Sequence, residues 1–186
     1  MIFIYSILII SLLTIIIIAI YYNKFVRNKN KTSEAWSGIE VQLKRRYSLI
    51  PNLLSTVKAI ATHEESIIDS IAKYREQGIE AQGVEMQAKA ENKLSNSMQQ
   101  ILELASKYPD LQANKNFLDF QNALEDIEKQ IQLARRYYNA VVRDSNNAIE
   151  SFPGIIFANF LGFQTFQFFE VENYDQVKEN PEANFK

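Results

Sequence analysis

Few residues in this sequence offer chemistry, and the first to weigh is its single histidine. His63 is followed by Glu64 and Glu65, the opening of a zinc-protease helix in which two histidines one turn apart hold the metal and the glutamate activates water. The second histidine is missing, because position 67 is Ile. There is no cysteine either, which excludes thiolate metal sites, thiol nucleophiles and disulfides. Paired carboxylates, a nucleophile elbow and a phosphate-cradling glycine loop are also lacking. The sequence therefore predicts no catalytic residue, no metal, no cofactor and no enzyme.

The remaining polar residues of interest suit recognition. Lys44, Arg45 and Arg46 cover a wide arc of a helix, and Arg135 and Arg136 do the same elsewhere. They either meet an acidic partner or lipid headgroups, or form a solvated face with local pairs such as Glu40 to Lys44. Asn52, Asn114, Asn116 and Asn139 stand out because asparagine lowers helix propensity. Such groups fix the register of a bundle by hydrogen bonds between helices, or they line a ligand groove. The candidate partner or ligand contacts are thus Arg45, Arg46, Asn52, Asn114 and Asn139. Tyr108, Tyr137 and Tyr138 read as core or core-edge rings whose hydroxyls reach polar partners, and Trp36 and Tyr138 are expected to be buried. A net charge of -2 argues against nucleic acid, which requires Lys and Arg gathered in excess on one face.

These residues are positioned by elements that the apolar pattern outlines. Residues 2–20 carry no charge, glycine or proline, and a helix of that length matches the ~30 Å core of a bilayer. A cleaved signal peptide fits less well, since it needs a basic start and small residues at a cleavage site. Tyr21 and Tyr22 form an aromatic flank, followed by Lys24, Arg27, Lys29 and Lys31 before the first acid, Glu34. This charge bias predicts a single-pass inner-membrane protein with the N-terminus outside and the rest cytoplasmic. A single engineered cysteine, for example at Ser97 or Glu179, would report the side without background.

Beyond the anchor, apolar residues three or four apart from Trp36 to Ile71 predict one long helix, kinked at Pro51, which removes the bond to the carbonyl four residues earlier. The polar stretch from Gly78 to Gly83 is a turn. Leu94, Met98, Ile101, Ala105 and Tyr108 mark a second helix stopping before Pro109, and Asn114 is the expected N-cap of a third. That third helix carries the clearest seam: Phe117, Phe120, Leu124, Ile127, Ile131, Ala134, Tyr138, Val141, Ser145, Ala148 and Phe152. A short apolar stretch, 155–163, is a fourth helix closing the bundle, and 164–171 is extended in part. The expected fold is all-α: an N-terminal transmembrane helix, then an antiparallel up-and-down bundle of three long helices and a short fourth. Its parts are an anchor (1–23), a basic juxtamembrane segment (24–33), the bundle (34–171) and a loose tail (172–186).

Several stretches carry a further signal: Glu34-Ala35-Trp36-Ser37, Val41-Gln42-Leu43-Lys44-Arg45-Arg46-Tyr47, Leu49-Ile50-Pro51-Asn52-Leu53 and Tyr108-Pro109-Asp110-Leu111. Ala113-Asn114, Asn116-Phe117, Ala134-Arg135, Tyr138-Asn139, Phe152-Pro153, Gly162-Phe163 and Phe168-Phe169-Glu170 continue the series. In this order they resemble the LemA family over nearly the whole chain after the anchor. The resemblance implies a bacterial membrane protein with one N-terminal span and a four-helix bundle, and no reaction. One departure lies at the end of the third helix, where the second of two Tyr-Asn pairs reads Ser145-Asn146 here. The function expected is a non-enzymatic scaffold or adaptor at the inner membrane, held in lipid by its N-terminal helix and engaging a protein partner. The alternative is a sensor binding a small molecule or peptide between its helices.

Overall fold

The computed structural model describes residues 2–170, and all regular structure among them is helical. Six helices follow in order: α1 (Ile2–Ile60), α2 (Glu65–Glu80), α3 (Gly83–Ala105), the single turn α4 (Pro109–Gln112), α5 (Lys115–Glu150) and α6 (Gly154–Leu161). The expected loose tail at 172–186, and with it Glu179, lies outside the described residues. The extended character expected near 164–171 is met by a described stretch, 163–170, with neither helix nor strand.

The chain divides into two compact units. One joins Met1–Ile39 to Ala134–Phe168, and the other is built on Glu40–Leu133. In the first, α1 contributes Phe25, Ala35 and Ile39 to the core, α5 contributes Tyr138, Val141, Val142 and Ile149, and α6 contributes Ala158. In the second, Leu43, Ile50, Leu53 and Val57 of α1 are buried, as are Ile71 of α2, Leu94, Met98 and Ile101 of α3, and Phe117, Phe120, Leu124, Ile127 and Ile131 of α5. The α5 seam therefore runs as its three-and-four spacing predicts, but not to its end. Ala134 and Ala148 are half-buried and Phe152 is 82% exposed.

The long first helix needs correcting at its C-terminal end. It starts at Ile2, so the apolar stretch and the first amphipathic helix are one element, and it ends at Ile60 rather than passing through to Ile71. Ala61 still donates to the Val57 carbonyl (2.7 Å), Glu64 turns back onto Ala61 O (3.3 Å), and the Ile67 and Ile68 amides restart the spiral on Glu64 O. Ala61 and Ile71 are both buried, so the apolar spacing bridges the turn and conceals it. Pro51 does not interrupt the helix. Elsewhere α3 ends before Pro109, the turn expected over 78–83 narrows to Ala81 and Gln82 because α2 runs on through Glu80, and the Asn114 side chain accepts from the amides of Asn116 (2.9 Å) and Phe117 (3.3 Å) at the start of α5. Trp36 is only half-buried, edge-on to the buried Tyr138 ring at 5.4 Å. Ser97 proves buried, which disqualifies it as a labelling site.

Candidate functional site

The most elaborate polar arrangement lies inside the second unit, where Arg46 and Tyr47 of α1 face α3. The guanidinium of Arg46 donates through Nη1 to Glu91 Oε2 (2.8 Å) and through Nη2 to Ser95 Oγ (2.8 Å), and Nη2 also pairs with Glu128 Oε1 of α5 (2.9 Å). The Tyr47 hydroxyl donates to Glu91 Oε1. Gln87 Nε2 donates to the Tyr47 hydroxyl (2.7 Å) and to the Gly78 carbonyl of α2 (3.2 Å). Four helices are thus pinned through one cluster. Gly78 is required there, because a Cβ at that position would run into the Tyr47 hydroxyl and lie 2.9 Å from its ring carbon Cζ.

The centre of the cluster is buried: the side chains of Arg46 and Glu91 are 3% and 4% exposed. Burial pushes the Glu91 carboxyl above the ordinary glutamate range, while Arg46, Tyr47 and Gln87 pull it back in part. Burial, then the neighbouring Glu91 carboxylate, drives the Tyr47 phenol far above its usual range, so it remains a proton donor. An acid with a raised pKa beside a phenol would suit proton transfer if a substrate reached it, but Glu91 and Tyr47 are both buried, and it is the Glu128 side of the cluster, 35% exposed, that meets solvent. What it does is hold register. Most of its polar atoms satisfy one another, Arg46 Nε being left without a partner among the described residues, and deleting Arg46 or Glu91 alone would strand a buried charge, a change that typically costs about 3–5 kcal/mol.

A second device compensates for Pro51. Proline has no N–H to offer the Tyr47 carbonyl four residues earlier. Arg75 Nε of α2 donates to that carbonyl instead (2.9 Å), which restores the missing bond from outside the helix.

The sequence-predicted residues fall in different settings. Arg46 is buried and engaged, not part of a solvated arc, whereas Arg45 is exposed and holds only Gln42 (3.0 Å) and, loosely, Asp126 (3.8 Å). Asn52 is exposed, so it fixes no helix register, and Asn114 is occupied as a cap. Asn139, in the first unit, is half-buried. Of the membrane flank, Tyr21 is half-buried against Phe157 (4.6 Å between ring centroids) and Phe25 (5.9 Å). Tyr22 is exposed with its edge toward Phe163 (6.1 Å). Lys24, which reaches over the Tyr21 ring, Arg27, Lys29 and Lys31 are all exposed. His63 sits in the turn between α1 and α2, exposed. Sequence reasoning missed Gln87 and Glu91. Running the α3 seam backward from Leu94 by three and then four residues lands on both, so the signal was two polar residues at core positions of an amphipathic helix.

Residues 35–185 match the LemA family. The chain belongs to the LemA family. It is 23% identical over 197 residues to magnetosome protein MamQ 1 of Paramagnetospirillum magneticum, covering 90% of this chain and 72% of that protein. It is similar also to MamQ of Magnetospirillum gryphiswaldense, at 24% identity over 80% of this chain and 64% of the other. Protein LemA of Metamycoplasma hominis is 22% identical over 83% of this chain and 71% of its own length.

In this LemA-family chain, Ser145 and Asn146 near the end of α5 are both engaged. Ser145 is 2% exposed, and its hydroxyl lies 3.3 Å from that of Thr32 on α1. Thr32 donates to the Asn28 carbonyl (3.0 Å), so Ser145 is the donor between the two. The adjacent Asn146 takes both backbone groups of Phe166, donating to its carbonyl (2.9 Å) and accepting from its amide (2.8 Å). The Tyr138 hydroxyl donates to the Gln167 carbonyl (2.9 Å). Two α5 side chains therefore hold the segment after α6 in place, and one of them is Asn146, an asparagine not singled out from the sequence.

Proposed function

We propose that this LemA-family protein is a membrane-anchored, non-enzymatic scaffold or adaptor of a bacterial inner membrane, with α1, α3 and α5 as the long members of an up-and-down bundle. One observation carries the reading: the apolar stretch of 2–20, none of it buried, continues without a break into a helix whose Phe25, Ala35 and Ile39 are buried in a folded unit. A hydrophobic span left bare by its own fold needs lipid, and a folded domain on the same helix is then held at the surface. Two features support a binding role: the polar cluster behaves as an internal lock, and the names of the relatives denote no reaction. The exposed basic residues 24–31 favour a cytoplasmic domain with the N-terminus outside.

In-membrane photocrosslinking from Arg45, followed by affinity capture, tests the scaffold. A discrete protein adduct that disappears when the reactive group is moved to Asn52 supports it, whereas recovery of the uncrosslinked chain alone overturns it. Topology is read in the same cells from a cysteine at the exposed Gln100. An impermeant thiol reagent should modify it only after lysis, and labelling of intact cells would place the domain outside.

A further inference from the structure

Helix α6 was expected to close a bundle, yet one side of it is bare. Ile155 is 42% exposed, Ile156 56%, Phe160 77%, and Phe152, four residues before Ile156, 82%. Single exposed apolar residues are ordinary, but three large ones on a two-turn helix, with a fourth in the turn just before it, are a patch that calls for a partner. The opposite side of α6 is anchored. Ala158 is fully buried with Phe25 and Ile149, and Phe157 stacks on Tyr21. Gly154 lets the chain turn tightly onto α5, since a Cβ there would collide with the Ala148 carbonyl and touch the Tyr21 ring. After the helix, Phe163 lies against Phe25 at 5.1 Å.

These contacts fix where the bare face lies. Tyr21 and Phe25 follow directly on the exposed apolar stretch of α1, so α6 sits at the depth where that stretch ends. The sequence from Ser151 to Phe169 contains no charged residue, whereas Lys24 and Arg27, on either side of Phe25 along α1, stand exposed. An eight-residue helix is roughly 12 Å long, far short of the ~30 Å needed to cross, so its apolar face suits lying in an interface. We propose that Phe152, Ile155, Ile156 and Phe160 form a lipid wedge that enters the headgroup and acyl boundary next to the point where α1 leaves the bilayer. The wedge rests on the reading of 2–20 as a span. It gives the first unit a second hold on the membrane, which orients it against the surface.

The full chain lacks cysteine, so a nitroxide placed at one engineered cysteine and reconstituted into phosphatidylethanolamine–phosphatidylglycerol vesicles reports its surroundings directly. Oxygen concentrates in lipid and a nickel chelate in water. Labels at Leu12 and Phe160 should both favour oxygen, and a label at the exposed Arg136, about 20 Å back along α5, should favour nickel several-fold. Ile156→Cys repeats the measurement should Phe160→Cys fold poorly. If Phe160 and Ile156 favour nickel like Arg136 while Leu12 favours oxygen, the wedge is wrong and the span stands. If both wedge sites are shielded from both reagents, protein covers the face and the wedge is equally wrong. Nickel access at Leu12 removes the span and the wedge together.

Discussion

Arg75 shows how one side chain can complete an element to which it does not belong. Because Pro51 cannot donate, the Tyr47 carbonyl would be left without its helical partner, and Arg75 Nε reaches it at 2.9 Å. A part-buried acceptor stripped of its partner costs about 1–3 kcal/mol. Arg75→Ala should therefore destabilise the protein by about 1–2 kcal/mol in chemical melts. In a Pro51→Ala background the backbone N–H returns, and the same Arg75→Ala change should cost much less. Equal losses in both backgrounds would mean that Arg75 acts through something other than this carbonyl. Sequence reasoning saw the bond that Pro51 deletes but not its replacement, because the donor comes from a different helix, 28 residues along the chain.

At the scale of elements, spacing was legible and exposure less so. The seam of α5 was read correctly from Phe117 to Ser145, since a continuous three-and-four alternation has one geometrical meaning. Leu124→Ala should consequently cost about 2–4 kcal/mol, the usual effect of emptying a buried leucine site. A loss near zero in a urea melt would place that face in water. The turn at Ala61 to Glu64 was not legible, because two helices whose buried faces continue in phase give the pattern of one. Arg46 and Glu91 were misjudged or missed for a related reason. Charge argues for a surface position, and only the partner's presence across the cluster reverses that. The outward face of α6 escaped too, since an apolar run says that residues avoid water without saying whether protein or lipid receives them.

For the molecule as a whole, the family and the all-helical class were readable, because the motifs run through most of the chain and most of them lie on a helix or at its end. The candidate site was not, since it depends on side chains from α1, α3 and α5 and a backbone carbonyl of α2 that share no sequence neighbourhood. The unbroken course of α1 carries one more consequence, which concerns rotational phase. Each residue advances a helix by about 100°, so a residue inserted after Asn23 turns everything before it away from the side that Phe25 keeps buried. Tyr21 would leave the Phe157 ring on which it stacks, and thermal stability should fall. An extra leucine between Ile16 and Ile17 rotates only side chains that touch no other part of the protein, and a fluid surrounding has no preferred angle. That second insertion should leave the melting temperature unchanged in vesicles. The boundary between residues that keep phase and residues that need none would then fall at Tyr21.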